Sequence, residues 1–135
     1  MARVDIDTDV LISALINNGK SRKLVLKLLE EHTVILSSQM LAELADVISR
    51  DKFSVTRSQV DRFISILVKK ATIVSVSSIP KVMLEDSDDD VVLAAAFNGK
   101  ADYIVSGDKH LLKIACYEKT QIVSVNHFIQ IIAKC

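Results

Sequence analysis

Four acidic residues, Asp7, Glu43, Asp89 and Asp108, stand where strands of this chain should end or helices begin. Asp7 ends an apolar run from Val4, and Asp108 follows another from Ala101 to Val105. If these strands are parallel, both carboxylates lie at one edge of the sheet. Helices return antiparallel to such strands, so their first turns reach the same edge. That brings in Glu43, from a helix opening at Ser37 or Ser38, and Asp89, from a helix beginning in the acidic run Glu85 to Asp90. Carboxylates so gathered repel one another and must take up protons unless a cation neutralises them. An oxygen-only set without His or Cys favours Mg²⁺ or Mn²⁺ over zinc, as one ion or two. Such ions support in-line phosphodiester hydrolysis by water, with no side-chain nucleophile.

Each acid also has a plainer reading. Asp86 and Asp89 are spaced like a capping box, and acids in a first helical turn are commonplace. Five acids among six residues, however, exceed what a cap requires, and they repel unless they meet a cation. Glu43 is in line with Gln39, Asp46 and Arg50, as on a solvated helix face. Asp108, in SGDK, has the place of a turn or cap residue. Asp7, followed by Thr8 and Asp9, puts polar atoms where the first strand-to-helix turn of an open α/β sheet usually meets a ligand. Asp5 shares the strand face of Asp7 by the two-residue period, which would bury a charge for no evident reason.

The elements that must position these residues follow from periodicity. Helices are expected over VLISALI, from Ser21 along the Leu24, Val25, Leu28, Leu29 stripe, from Ser37 or Ser38 to about Ser49, and from about Ser58 to Lys70. Leu41, Leu44, Val47 and Ile48 should form the inner face of the third. Further helices are expected from the acidic run to Asn98 with Gly99 past its end, from Lys109 to Cys116, and from a Ser124 cap to Cys135. Strands are expected at Val4–Asp7, Thr33–Leu36, Thr72–Val76, Ala101–Val105 and Gln121–Val123, with a loop containing the only proline from Ser77 to Leu84. The alternation predicts a mainly parallel sheet covered by helices on both faces, with any ligand outside the carboxyl ends of its strands.

A chain of 135 residues, half of them apolar, is sized for one domain spanning 1–135. No signal-peptide pattern and no membrane-length apolar run is present, so a cytoplasmic protein is expected. Cys116 and Cys135 fall in segments that read as helical and are expected to be reduced and structural. The formal charge of zero argues against a nucleic-acid protein only if it is evenly spread. Asp5, Asp7, Asp9, Glu43, Glu85, Asp86, Asp88, Asp89, Asp90 and Asp108 belong to the segments expected to converge. Without them, seven acids face seventeen Lys and Arg, and the remaining surface is basic.

Taken in order, IDTDVLISAL, SSQMLAEL, DSDDDVVLAAA, ADYIVSGDKHLL and the tail IVSVNHFIQII resemble the PIN-domain nucleases, especially the branch described as toxins of toxin–antitoxin pairs. The motifs are short, but their order and spacing run nearly end to end. The resemblance implies a three-layer α/β/α fold with a five-stranded parallel sheet and a Mg²⁺- or Mn²⁺-dependent ribonuclease. It carries the family's catalytic, metal-holding carboxylates onto Asp7, Glu43, Asp89 and Asp108. It assigns Thr8 and Ser106 to pocket-lining hydroxyl positions, and Asp86 and Asp88 to the branch's extra acids. An antitoxin partner, covering apolar surface and the acidic cleft, and a homodimer or higher oligomer are implied in the same way. Asp9 stands where the family usually has Asn, His110 where the branch has an acid, and Asp5 where it has an apolar residue. An ionised Asp9 accepts hydrogen bonds where an amide would donate them.

The expected activity is endonucleolytic cleavage of single-stranded or structured RNA leaving a 5′ phosphate. Lys109, Lys20 and Arg22 are candidates for holding the backbone. Two alternatives stay open. VDIDTDV superficially resembles the DxD nucleophile motif of haloacid-dehalogenase-like phosphatases, which would form an aspartyl-phosphate. A non-catalytic RNA- or protein-binding module would retain the acidic pocket and bind without cleaving.

Overall fold

Short apolar strands alternating with amphipathic helices give a sheet sandwiched between helical layers. The computed structural model describes residues 1–50, 55–75 and 87–133, the last span without the side chains of 87–89. Its strands are β1 (Arg3–Ile6), β2 (Thr33–Ser37), β3 (Thr72–Val74), β4 (Tyr103–Val105), β5 (Cys116–Tyr117) and β6 (Thr120–Val123). Their order across the sheet is β3-β2-β1-β4-β6-β5. All pairs are parallel except β5 with β6. The expected five parallel strands are therefore present, and a sixth, two-residue strand joins them at one edge. It arises because Ala115 and Glu118 take left-handed backbone conformations, with φ of 65° and 55°, and fold Cys116–Tyr117 back on β6. Cys116 accordingly lies in an exposed strand, not in a helix. Cys135 and the segment 77–84 lie outside the described residues.

The helices are α1 (Thr8–Ile16), α2 (Lys20–Glu31), α3 (Ser38–Arg50), α4 (Arg57–Lys70), α5 (Ser87–Asn98), α6 (Lys109–Ile114) and α7 (Val125–Ala133). Local chemistry sets their starts. The Thr56 hydroxyl and Gln59 amide form a reciprocal capping box at α4, and the Ser124 hydroxyl accepts from His127 N–H at α7. The Ser37 hydroxyl accepts from Met40 N–H at the head of α3. In α3 the buried stripe is Met40, Leu44 and Ile48, displaced from the expected one, with Leu41 and Val47 only half-buried. Arg22, a candidate for binding a nucleic-acid backbone, is committed elsewhere. Its guanidinium donates to the Ala14 and Leu15 carbonyls at 2.8 and 2.7 Å, satisfying acceptors that the end of α1 leaves open.

The β2 strand is buried at every position after Thr33, as a strand covered on both faces must be. α5 lies across β1 and β2 through its run Leu93, Ala94, Ala95 and Ala96, all with no exposed surface. Those small side chains let the helix approach the sheet closely. Its end is a Schellman turn: Lys100 N–H donates to Phe97 O and Ala101 N–H to Ala96 O, with Lys100 at φ 54°. Lys100 thus takes the left-handed position, and Gly99 serves another need. A Cβ at Gly99 would collide with the Ile35 side chain. Gly99→Ala should therefore destabilise the fold by about 1–3 kcal/mol through overpacking. A lower urea midpoint with unchanged slope is the expected result, and an unchanged midpoint would show that Ile35 yields freely.

On the other side of the sheet, Phe128 from α7 is fully buried and meets Tyr103 edge to face at 5.0 Å. Among the described residues no helix is long and apolar enough to cross a membrane.

Candidate functional site

The chain runs from β1 outward to β2 and β3, then returns to β4 on the opposite side of β1. The connections leaving β1 and β4 diverge there and open a crevice at the carboxyl edge. In register, Ile6 pairs with Val105, so the next residues, Asp7 and Ser106, face each other at the rim. The Ser106 hydroxyl donates to Asp7 Oδ2 at 2.7 Å, and both side chains are buried. Asp7 Oδ1 accepts from Thr8 N–H at 2.8 Å and so caps α1. The Thr8 hydroxyl lies 3.5 Å from Asp7 Oδ1 and 3.4 Å from Glu43 Oε1, and its one proton can serve either. Glu43, half-buried, is thereby turned toward α1 and the crevice, away from the fully solvated face.

A second chain of bonds crosses the crevice. Asp108 N–H donates to the Ser106 hydroxyl at 2.9 Å, and Asp108 Oδ1 accepts from His110 N–H at 2.7 Å, capping α6. Asp108 thus has the capping role of its plainer reading, and the cap leaves it beside Ser106. His110 Nδ1 lies 4.0 Å from the same carboxylate. Gly107 N–H donates to Asp9 Oδ2 at 3.1 Å, which draws α1 toward the turn after β4. A Cβ on Gly107 would stand 2.9 Å from that oxygen, so glycine keeps the approach open. Sequence reasoning missed Gly107, although its place between a hydroxyl and an acid in SGD was the available signal.

Desolvation by surrounding protein pushes the Asp9 carboxyl above the usual range, and the charge of Asp108 adds to it. Backbone N–H groups of Gly107 and Val10 and a hydrogen bond shared with Asp7 oppose the rise. No Lys or Arg compensates Asp9 among the described residues. Deeper in the same strand, Asp5 is completely buried, and neither carboxylate oxygen has a hydrogen-bond partner among the described residues. Burial first, and the neighbouring charge of Asp7 second, raise its carboxyl well above the ordinary value. Asp5 pairs in register with Ile35, whose side chain abuts Gly99 at the end of α5, so Asp5 faces α5.

Hydrogen bonds thus join Asp7, Thr8, Asp9, Glu43, Ser106 and Asp108 around one crevice. Asp86 and the side chains of Asp88 and Asp89 lie outside the described residues. Asp90, from the first turn of α5, is buried. Sequence reasoning counted it among the converging acids without giving it a role. Its position three residues before Leu93 and four before Ala94 was the sign that it faces inward.

The donors at the crevice are carboxylate and hydroxyl oxygens, which suit a hard divalent ion. Among the described residues no three His, Cys, Asp or Glu side chains close into a metal-holding group. Mg²⁺ does not require such a cage, since it commonly takes one or two carboxylates and keeps waters in its other positions. The chemistry of the donors therefore fits such an ion, and Asp7 is the carboxylate that is both buried and fixed at each oxygen.

A family model described as PIN domain matches residues 3–110, well over half of the chain. A solved structure, that of VapBC2 from Rickettsia felis bound to a DNA fragment from their promoter, contains a chain of similar fold. The TM-score is 0.66 at 16% identity, over 90% of this chain and 98% of that one. No curated protein matches. With its three-layer fold and a family match covering β1 through the head of α6, the chain belongs to the PIN domain family.

Proposed function

We propose that this chain is a Mg²⁺- or Mn²⁺-dependent endoribonuclease, the toxin of a toxin–antitoxin pair, acting as a single domain over residues 1–135. PIN domains are generally nucleases and typically depend on divalent metals. One observation carries the reading furthest: Asp7, Asp9 and Asp108 are drawn to one crevice through Ser106 and Gly107, and no cationic side chain compensates Asp9 among the described residues. A bound divalent ion would relieve that crowding.

In this reading Asp7, Glu43, Asp89 and Asp108 are the metal-holding carboxylates. Asp86 and Asp88 are the extra acids that the resemblance supplies, and Asp9 adds negative charge from α1. A divalent ion held here would supply Lewis acidity toward a phosphodiester and a water of lowered pKa. The chain's own residues keep the carboxylates in place: Ser106 and Thr8 fix Asp7 at both oxygens, and the Thr8 hydroxyl tethers Glu43. Asp108 is held by the first turn of α6. Fixed donors of this kind avoid reorganisation during reaction.

The antitoxin rests on the resemblance and on the fold-level likeness to a chain of VapBC2. An apolar groove of about 270 Å³ between α1, α2 and α4, lined by Leu15, Val25, Leu26, Phe63 and Ile66, is surface such a partner could cover. Self-association and a cytoplasmic location belong to the same proposal.

The test is to incubate purified protein with mixed single-stranded RNAs in Mn²⁺ or in excess chelator. Cleavage in Mn²⁺ only, leaving 5′-phosphate ends, is expected. Cleavage that persists in chelator, or RNA binding without cleavage, would sink the proposal, the latter in favour of a binding module. A trapped aspartyl-phosphate would instead point to the phosphatase reading.

A further inference from the structure

We propose that the groove between α2 and α7 is the path along which the sugar–phosphate backbone of single-stranded RNA leaves the crevice. This inference rests on the nuclease reading and adds to it the surface that holds the substrate. α7 begins directly after β6, so its first turn is at the carboxyl edge of the sheet. Lys20, the first residue of α2, donates from Nζ to Asn126 Oδ1 at 3.2 Å and so lies at that edge. α2 then runs to the amino edge, where β2 begins. Lys20, Lys23 and Lys27 follow one another at spacings of three and four, which places them on one face of the helix. At 1.5 Å of rise per residue the row extends about 10 Å.

The groove these lysines border has a volume of about 690 Å³, and no acid is among the residues lining it. α7 contributes Asn126, Ile129 and Gln130 and carries no Asp or Glu. Lys23 forms no ion pair among the described residues, and the Lys27–Glu31 pair, at 3.8 Å with both side chains about half exposed, gives way readily to a stronger anion. At the amino edge a second hollow, of about 670 Å³, shares Lys27 with the groove. Glu31 and Asp102 restore mixed charge there, so the basic track ends.

Three cations in a row over an apolar floor containing Leu24 complement a polyanion with an apolar side, such as a nucleic-acid strand. The described lining offers lysines to phosphates and no aromatic ring to bases, so the contacts are to the backbone and carry no sequence preference. Lys20 therefore keeps the backbone-holding part expected of it, and Lys23 and Lys27 join it.

The experiment measures fluorescence anisotropy of a labelled oligouridylate on the full chain in excess chelator, from 50 to 300 mM salt. Single strands give a slope of about −0.7 per phosphate neutralised. The triple exchange K20A/K23A/K27A should weaken binding on the order of tenfold at low salt and make the log–log salt slope shallower by about 2. The control K69A/K70A, at the end of α4, should change neither. A triple variant with wild-type affinity and slope overturns the proposal, as does an equal loss in the control. Wild-type protein that binds poly-glutamate of matched charge as tightly as RNA also overturns it, in favour of an acidic protein segment. Failure of the nuclease reading looks different: no Mn²⁺-dependent cleavage, with lysine-dependent binding intact.

Discussion

Asp7→Asn should lower Mn²⁺-dependent RNA cleavage by at least about two to three orders of magnitude, the scale on which loss of a fixed electrostatic group acts. The exchange is nearly isosteric, and Asn caps helices as well as Asp, so the bond from Thr8 N–H that starts α1 can persist. What is lost is a buried negative charge held by Ser106 at 2.7 Å. Stability without metal should therefore change little. Metal-induced stabilisation should disappear: an ion at 100 times its Kd raises unfolding free energy by about 2.7 kcal/mol in the wild type and by almost nothing in the variant. Parallel thermal melts with and without Mn²⁺, alongside single-turnover cleavage, check both parts. Full activity in the variant would remove Asp7 from the mechanism, and an unchanged Mn²⁺ shift would remove it from the ion.

Asp5→Val should act in the opposite sense and stabilise the protein by about 2–4 kcal/mol near neutral pH. The carboxyl is fully buried, and neither oxygen has a partner among the described residues. An unsatisfied buried polar group costs about 1–3 kcal/mol, and added apolar contact against α5 contributes on the order of another 1. The sign of the pH dependence follows from the raised pKa. Unfolded Asp5 ionises near the ordinary value of 3.8, whereas the folded chain retains the proton to higher pH. Between those limits the unfolded state holds fewer protons, so wild-type stability falls as pH rises, by up to about 1.4 kcal/mol per unit. Below 3.8 the proton-linked part of the difference vanishes. The margin of Asp5→Val over the wild type should thus widen from pH 4 upward until the folded group titrates. Urea denaturation at pH 4, 5.5 and 7 measures this, and a margin that narrows with pH would mean that Asp5 is ionised in the fold.

Much of this architecture was legible because the signals are local and repeated. Asp7 could be placed at a sheet edge because an apolar run stops at it, and Asp108 because the second run stops just before it. The parallel order followed from strands separated by helix-length segments. What escaped depended on partners distant in sequence. Nothing local says that Cys116 and Tyr117 form an edge strand, because two left-handed residues, Ala115 and Glu118, create the hairpin against β6. Gly99 was read as the residue just past a helix end, yet Lys100 takes the left-handed position and Gly99 is required by Ile35, 64 positions away. Arg22 looked like a cation for a ligand because its type says nothing of the open carbonyls at the end of α1. The two-residue period did disclose that Asp5 faces inward, and it offered no reason, since none of the described residues bonds to its carboxylate.

Whether oxygens of the crevice between β1 and β4 hold a divalent ion is decided by anomalous diffraction from a crystal soaked in Mn²⁺. The expected result is a peak at about 2.0–2.2 Å from an Asp7 carboxylate oxygen, with its other ligands drawn from Glu43, Asp108, the acids that open α5, and water. A well-ordered crystal with full Mn²⁺ access and no peak beside Asp7, or with its peak on another face, would contradict binding there.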